Sequence, residues 1–206
     1  MPNLAMDYTR KTAMWCAWDM YRFGFKPGSI LNVGVGTAPE LHVWQWLFPG
    51  TPVLGIDPKP LRKKFTGSGW DHLSFVQTAV GSKSMPEAYF CRICSSMACK
   101  DQQGHKIHGK WEKVSVSTID VVAKDMSPPY FIWMDIEGYE LHALFGARNI
   151  LKKTDWICVE LTNWVPMHIR KVQQFLLKKG FILRAKFDND ALFSKPIRRR
   201  KNSQRK

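Results

Sequence analysis

The segment Tyr130–Asp135, YFIWMD, is apolar at every position until its last. A strand apolar on both faces has no side to give to water. It belongs in a sheet with helices above and below, which is the environment of a central parallel strand. Ile30–Val33, Val53–Asp57 and Trp156–Leu161 are further short apolar runs. Helix-spaced segments stand between them, so the chain reads as α/β with a mostly parallel sheet.

The remaining elements follow in order. Thr9–Phe23 reads as a helix with Met14, Ala17, Trp18 and Tyr21 on one face, stopped by Gly24 and Pro27. Pro39–Phe48 is a second helix, with proline tolerated in its first turn. Leu73–Val80 reads as one strand. Ala88–Cys94 and Lys113–Ser117 can pair as a hairpin around a polar loop. Leu141, Leu144, Phe145 and Leu151 make a helical stripe, as do Ile169, Val172, Phe175 and Leu176 before Gly180. Phe181–Phe187 and Ala191–Phe193 flank the turn-like Asp188-Asn189-Asp190 and supply an antiparallel finish. The expected organisation is one domain over 1–197, with a helical segment at 1–28 and an inserted hairpin and loop at 88–117. A basic tail follows at 198–206.

The net charge is +14, and six of the cations lie in Arg198–Lys206. A basic field of this size draws polyanions, nucleic acid first. Lys59, Arg62, Lys63 and Lys64, and then Arg170, Lys171, Lys178 and Lys179, add basic groups that each also fit an ordinary solvated face. Of the nine tryptophans, Trp44, Trp46, Trp133 and Trp156 are expected in the core. Trp70, Trp111 and Trp164 lie nearer loops. The first residues carry Asp7, Arg10 and Lys11 and lack a secretory pattern, and no apolar run is long enough to span a bilayer. With an odd cysteine count, the expected location is the cytoplasm.

Cys91, Cys94, Cys99, His105 and His108 have a spacing that loosely suits zinc. Tyr89–Ile93 reads as a strand, however, where cysteine serves as a small hydrophobe, so no metal site is assigned.

The first chemical signal is LNVGVGTAPE, Leu31–Glu40. A strand, glycines and then a helix bring backbone close to a nucleotide-like ligand. Gly34 and Gly36 leave room where a Cβ would clash. Asp57, at the end of the next strand, can accept hydrogen bonds from ribose hydroxyls. It also fits a strand-end residue that caps its own loop. Pro39 stands where the dinucleotide fingerprint needs its third glycine, and no GxxxxGK[ST] loop exists. NAD and FAD are therefore disfavoured, a P-loop is excluded, and a phosphate-free adenosyl ligand such as S-adenosylmethionine fits better.

The second signal spans Ser117–Leu161. Its pieces are Thr118-Ile119-Asp120, Met134-Asp135-Ile136-Glu137-Gly138, Glu140, Leu144, Gly146-Ala147 and Glu160. In this order they resemble the FkbM family of S-adenosylmethionine-dependent methyltransferases. The resemblance reaches back through Ala79-Val80-Gly81 and forward to Leu192-Phe193, about residues 30 to 194. Asn32 departs from it, standing where these enzymes commonly carry an aspartate.

The resemblance implies a Rossmann-like class I methyltransferase fold, with a mostly parallel central sheet, an antiparallel C-terminal strand and helices on both faces. It also implies O-methylation of a hydroxyl on a sugar, glycan or natural-product-like acceptor. Cofactor contacts are assigned to Val33, Gly34, Val35, Gly36, Glu40, Asp57 and Ala79. Catalytic or acceptor contacts are assigned to Asp135, Glu137 and Glu160. A hydroxyl nucleophile benefits from a base, and two neighbouring carboxylates can hold separated pKa values. Each acid also has a plainer reading: Asp135 as a helix N-cap, Glu137 at a helix's positive end, Glu160 paired with a lysine.

Two other functions fit parts of the sequence. One is a nucleic-acid methyltransferase acting on a ribose or cap, favoured by the charge. The strand bearing Cys158 and Glu160 offers no lysine at its end for that chemistry. The other is a basic nucleic-acid-binding module with an inactive methyltransferase fold.

Overall fold

The computed structural model of the 206-residue chain describes residues 8–66, 69–91, 111–161 and 166–196, with side chains of the last segment from 169 onward. The main sheet contains β1 (Ser29–Val33), β2 (Val53–Asp57), β3 (Leu73–Gln77), β7 (Tyr130–Met134), β8 (Thr154–Glu160), β9 (Ile182–Phe187) and β10 (Asp190–Ser194). Its order is β3-β2-β1-β7-β8-β10-β9. The first five strands are parallel, and β10 runs antiparallel between β8 and β9. A smaller sheet orders β4 (Ala79–Val80), β6 (Trp111–Ser117) and β5 (Met85–Cys91), with β5 and β6 antiparallel.

Helices cover both faces of the main sheet. On one side lie α1 (Tyr8–Arg22) and α2 (Pro39–Leu47). Their core joins Ala13, Cys16, Met20, Leu41 and Trp44 to Phe131, Trp133, Trp156 and Leu192. On the other side lie α3 (Ile119–Val122), α4 (Glu140–Phe145), α5 (Arg148–Lys153) and α6 (Pro166–Lys178). There Leu144, Leu151, Val172 and Leu176 pack on Leu31, Ile132 and Ile157. Alternate residues of β7 thus serve the two cores, which is why YFIWM is apolar throughout.

The structure corrects several expectations. Leu73–Val80 is not one strand: it bends at Thr78, and β3 and β4 join different sheets. The stripe from Leu141 to Leu151 is two helices parted at Gly146. Helix α1 buries Thr12, Ala13, Cys16, Ala17 and Met20, leaving Trp18 and Tyr21 outside. Trp46 is exposed rather than core. Small side chains on α1 let it lie close over Trp156 and Cys158, with Cys16 Sγ 3.5 Å from Cys158 Sγ. Cys94, Cys99, His105, His108, Trp164 and the tail lie outside the described residues.

Several residues of the second sequence signal turn out to hold the frame. Thr118 caps α3, its Oγ1 accepting from the Val121 amide at 3.2 Å. Asp120 Oδ1 accepts the amides of Asn149 and Ile150, both at 2.9 Å, and so fastens the start of α5. Gly146 meets Gly81 so closely that a Cβ would sit 2.0 Å from the Gly81 carbonyl oxygen. Backbone cannot yield that distance cheaply. Gly146→Ala is therefore expected to destabilise the fold by about 2 to 4 kcal/mol. Gly180→Ala has open space at its Cβ and only a positive φ to strain, and should cost about 1 kcal/mol. Urea denaturation of the two variants against wild type checks the contrast.

Candidate active site

Two parallel strands, β1 and β7, end side by side, and the site is built where they end. The Asp135 amide donates to the Val33 carbonyl at 2.9 Å, and the Gly34 amide donates to the Ile56 carbonyl at 2.8 Å. Gly34 has φ +88°, and a Cβ there would sit 1.8 Å from the Asp135 carbonyl oxygen. Its missing side chain therefore makes room for β7, not for a ligand, as the sequence had suggested. Gly36, with φ +49° and nothing within 4 Å of its Cβ position, is the glycine that leaves open space.

The loop between them opens on a cleft of about 830 Å³, part of it open to solvent. Val35, Gly36, Glu40, Asp57, Ala79, Asp135 and Glu137 line it together with Gly34. Val33 is fully buried in the core and is not part of the lining, and neither is Glu160. Thr9, Thr37, Lys59, Thr78, Phe90 and Tyr139 also line the cleft; the sequence marks none of them as a site residue, and Lys59 only as part of a basic group. They sit on the ends of elements whose meeting point only the topology reveals.

Asp57 is already employed. Its Oδ2 accepts the Gly36 amide at 2.8 Å and its Oδ1 accepts the Lys59 amide at 2.7 Å. These bonds hold the glycine loop against the end of β2. A carboxylate has about four acceptor positions, so two stay available to a ribose. Both sequence readings of Asp57, loop cap and ligand acceptor, are compatible with this geometry.

On the other side of the cleft, oxygens of Asp135, Glu137 and Glu160 all lie within 4.8 Å of one another. Among the described residues this is the group able to hold a metal ion, and a proton between two of the carboxylates lowers its charge as well. Burial raises Asp135, while a hydrogen bond from Glu160 acts in the opposite direction. Burial, then the nearby charge of Asp135 and its hydrogen bond, push Glu160 up to about 10. Glu160 therefore keeps its proton at neutral pH and donates it to the Asp135 carboxylate. Burial and the charges of Asp135 and Glu140 bring Glu137 to about 7, with Lys59 pulling the other way.

Glu137 stands at φ +56° and Gly138 at φ +92°. This left-handed pair is tied down by Glu140, whose Oε1 accepts the amides of Ile136 at 3.2 Å and Gly138 at 3.0 Å. The N-cap of α4 is Tyr139, so Asp135 does not serve as that cap.

Asp190 joins the cluster from an unexpected direction. Because β10 is antiparallel to β8, its first residue pairs with Glu160, the last of β8. Burial and the charge of Asp135 push Asp190 up to about 7, and Tyr8 hydrogen-bonds to it in opposition. The Tyr8 hydroxyl also donates to the Phe187 carbonyl, so α1 closes over this end of the sheet. In the sequence, Asp190 reads as a turn residue.

The fold is the Rossmann-like class I methyltransferase fold, and the family of the chain makes it an S-adenosylmethionine-dependent methyltransferase. The chain belongs to the FkbM methyltransferase family: the model of the methyltransferase FkbM domain matches residues 50–183. The match begins after the glycine loop, which the geometry joins to it. Among solved structures, the chain is similar to precorrin-6y C5,15-methyltransferase from Geobacter metallireducens GS-15. That likeness has 10% identity and a TM-score of 0.50, covering 93% of this chain and 88% of the other. A SAM-dependent methyltransferase from Aquifex aeolicus is similar at 15% identity and a TM-score of 0.48, covering 91% and 92%. No curated protein matches the chain. Among the described residues, no helix is long and apolar enough to cross a membrane.

The protonated Glu160 has a consequence for stability. Its folded value lies above its unfolded one, so its stabilising contribution is complete below about pH 4.5 and is lost as pH rises toward about 10. Glu160→Gln keeps the donor to Asp135 without that loss. Relative to wild type, the variant is expected to gain stability progressively as pH rises from about 5 to about 9. Urea denaturation across the pH range measures it.

Proposed function

We propose that this enzyme transfers a methyl group from S-adenosylmethionine to a hydroxyl of a sugar, glycan or natural-product-like acceptor. The observation that carries the reading is Glu137, a half-buried carboxylate brought to about 7 on the wall of the glycine-loop cleft. A base near neutrality is matched to taking a hydroxyl proton.

The cleft fits the cofactor. Gly36 leaves open space, Asp57 retains acceptor positions for ribose hydroxyls, and Ala79 and Val80 offer an apolar wall. Val35, Gly36, Glu40, Asp57 and Ala79 would hold it, with Gly34 setting the loop. When bound, S-adenosylmethionine supplies a methyl carbon on a positive sulfonium, open to in-line displacement by oxygen.

The chain's own residues do the rest. Glu137 accepts the hydroxyl proton as the oxygen bonds to carbon and the carbon–sulfur bond breaks. Asp135, held by the proton of Glu160, accepts a hydrogen bond from the acceptor and orients it. Positioning of this kind supplies much of the rate in a displacement reaction. The buried acids also favour positive charge in the cleft and disfavour a phosphate beside it.

Nucleic acid is the second reading, favoured by the net charge of +14 and by Lys59 on the cleft wall. Transfer of labelled methyl groups to a panel of glycans, RNA and DNA separates the two. Retention on a polyanion column with and without residues 198–206 reports what the tail adds.

Calorimetric titration with S-adenosylhomocysteine is expected to show saturable one-to-one binding. Asp57→Ala should weaken it by about tenfold or more, the loss of charge-assisted hydrogen bonds. Unchanged affinity in that variant would remove Asp57 from the cofactor site. With an acceptor in hand, the rate should rise with pH through about 7 as Glu137 ionises. Glu137→Gln should lower kcat by about 100-fold and flatten that limb; a full rate in the variant would exclude Glu137 as base.

A further inference from the structure

Helix α1 turns its small residues to the sheet and its large ones to water. Its outer face carries Lys11, Trp15, Trp18 and Arg22, alternately four and three residues apart, which aligns them along one side of the helix, with Tyr21 beside Trp18. Trp15 is 60% exposed, Trp18 55% and Tyr21 72%. The rings of Trp18 and Tyr21 stack on each other at 6.1 Å. A single exposed apolar residue needs no explanation, but a row of aromatic rings on one helix face does.

The residue types indicate what covers it. Indole and phenol rings are apolar bodies with one polar edge, and they concentrate at the headgroup level of bilayers. Lys11 lies at one end of the row and Arg22 at the other, while Asp19 is the only acid of α1 and is ion-paired to Arg22 at 3.8 Å. The chain as a whole carries +14. Aromatic rings flanked by cations, on a strongly basic protein, complement an anionic lipid surface. Shape agrees: the outer face of a helix is convex and meets a plane.

We propose that the outer face of α1 docks this protein on an anionic lipid bilayer, its rings among the headgroups and its cations against their charges. The inference does not depend on the methyl acceptor. It does set where the cleft stands, because Thr9 of the same helix lines that cleft. A 15-residue helix is about 22 Å long, so docking holds the cleft mouth near the membrane.

The test uses the full chain and vesicles of phosphatidylcholine with and without phosphatidylglycerol. Wild type is expected to sediment with the anionic vesicles and weakly with the neutral ones. Trp15→Ser/Trp18→Ser/Tyr21→Ser should lower the partition coefficient for anionic vesicles by about tenfold or more, with the thermal midpoint retained. Both proteins keep the basic tail, so the difference reports the aromatic face. Should the triple variant misfold, Trp15→Ser and Trp18→Ser singly should each give a partial loss. Equal partition of wild type and variant, or no sedimentation, overturns the proposal. So does ring-dependent binding to single-stranded RNA without vesicle binding, or a dimer in light scattering that the variant dissolves.

Discussion

The backbone contact between Gly34 and Asp135 is the junction on which the site depends. With a would-be Cβ only 1.8 Å from the Asp135 carbonyl oxygen, these two strand ends touch main chain to main chain. From that junction the glycine loop leaves toward α2 on one side, and Asp135-Ile136-Glu137 leaves toward α4 on the other. The glycine loop and the acids of the cleft are thus placed by the same contact. Gly146 against Gly81 repeats the device further out, where it seats α4 and α5 beneath the cleft wall.

A strongly basic chain that gathers acids at one sheet edge must neutralise them locally. Two are handled by backbone amides: Asp57 by Gly36 and Lys59, and Glu140 by Ile136 and Gly138. Asp135 and Glu160 share a proton. Glu137 and Asp190 are then left near neutrality, able to take or release one. For Glu137 and Asp190 the cause is burial among other acids, which favours the protonated form. Of these two, Glu137 lines the cleft.

How much of this was legible follows from the kind of signal each part leaves. Doubly buried strands leave apolar runs, so the sheet and its antiparallel finish were readable. Asp135, Glu137 and Gly138 follow such a run directly, so the turn that brings two acids to the cleft wall stands out in the sequence. Asp190 was missed because its role comes from pairing across the sheet with Glu160, which no local pattern records. The face of α1 was misread for a different reason. The sets 13, 16, 17, 20 and 14, 17, 18, 21 share one helical spacing, and hydrophobicity alone favours the tryptophan-bearing set. Closeness to the sheet selects the small one. Leu73–Val80 looked continuous because the bend at Thr78 is fastened by its own hydroxyl, donating to the Ser115 carbonyl at 3.0 Å.

Asn32 shows how a departure from a family pattern can be absorbed. Both Asn32 and Glu40 are buried, and Asn32 Nδ2 donates to Glu40 Oε1 at 2.7 Å. An aspartate at this place would set two carboxylates against each other with no donor between them, and one would have to keep a proton. The amide supplies the donor itself, which ties Glu40 to β1 beneath the glycine loop. The departure leaves the glycine loop fastened to the start of α2 by a neutral donor where the family pattern has an acid.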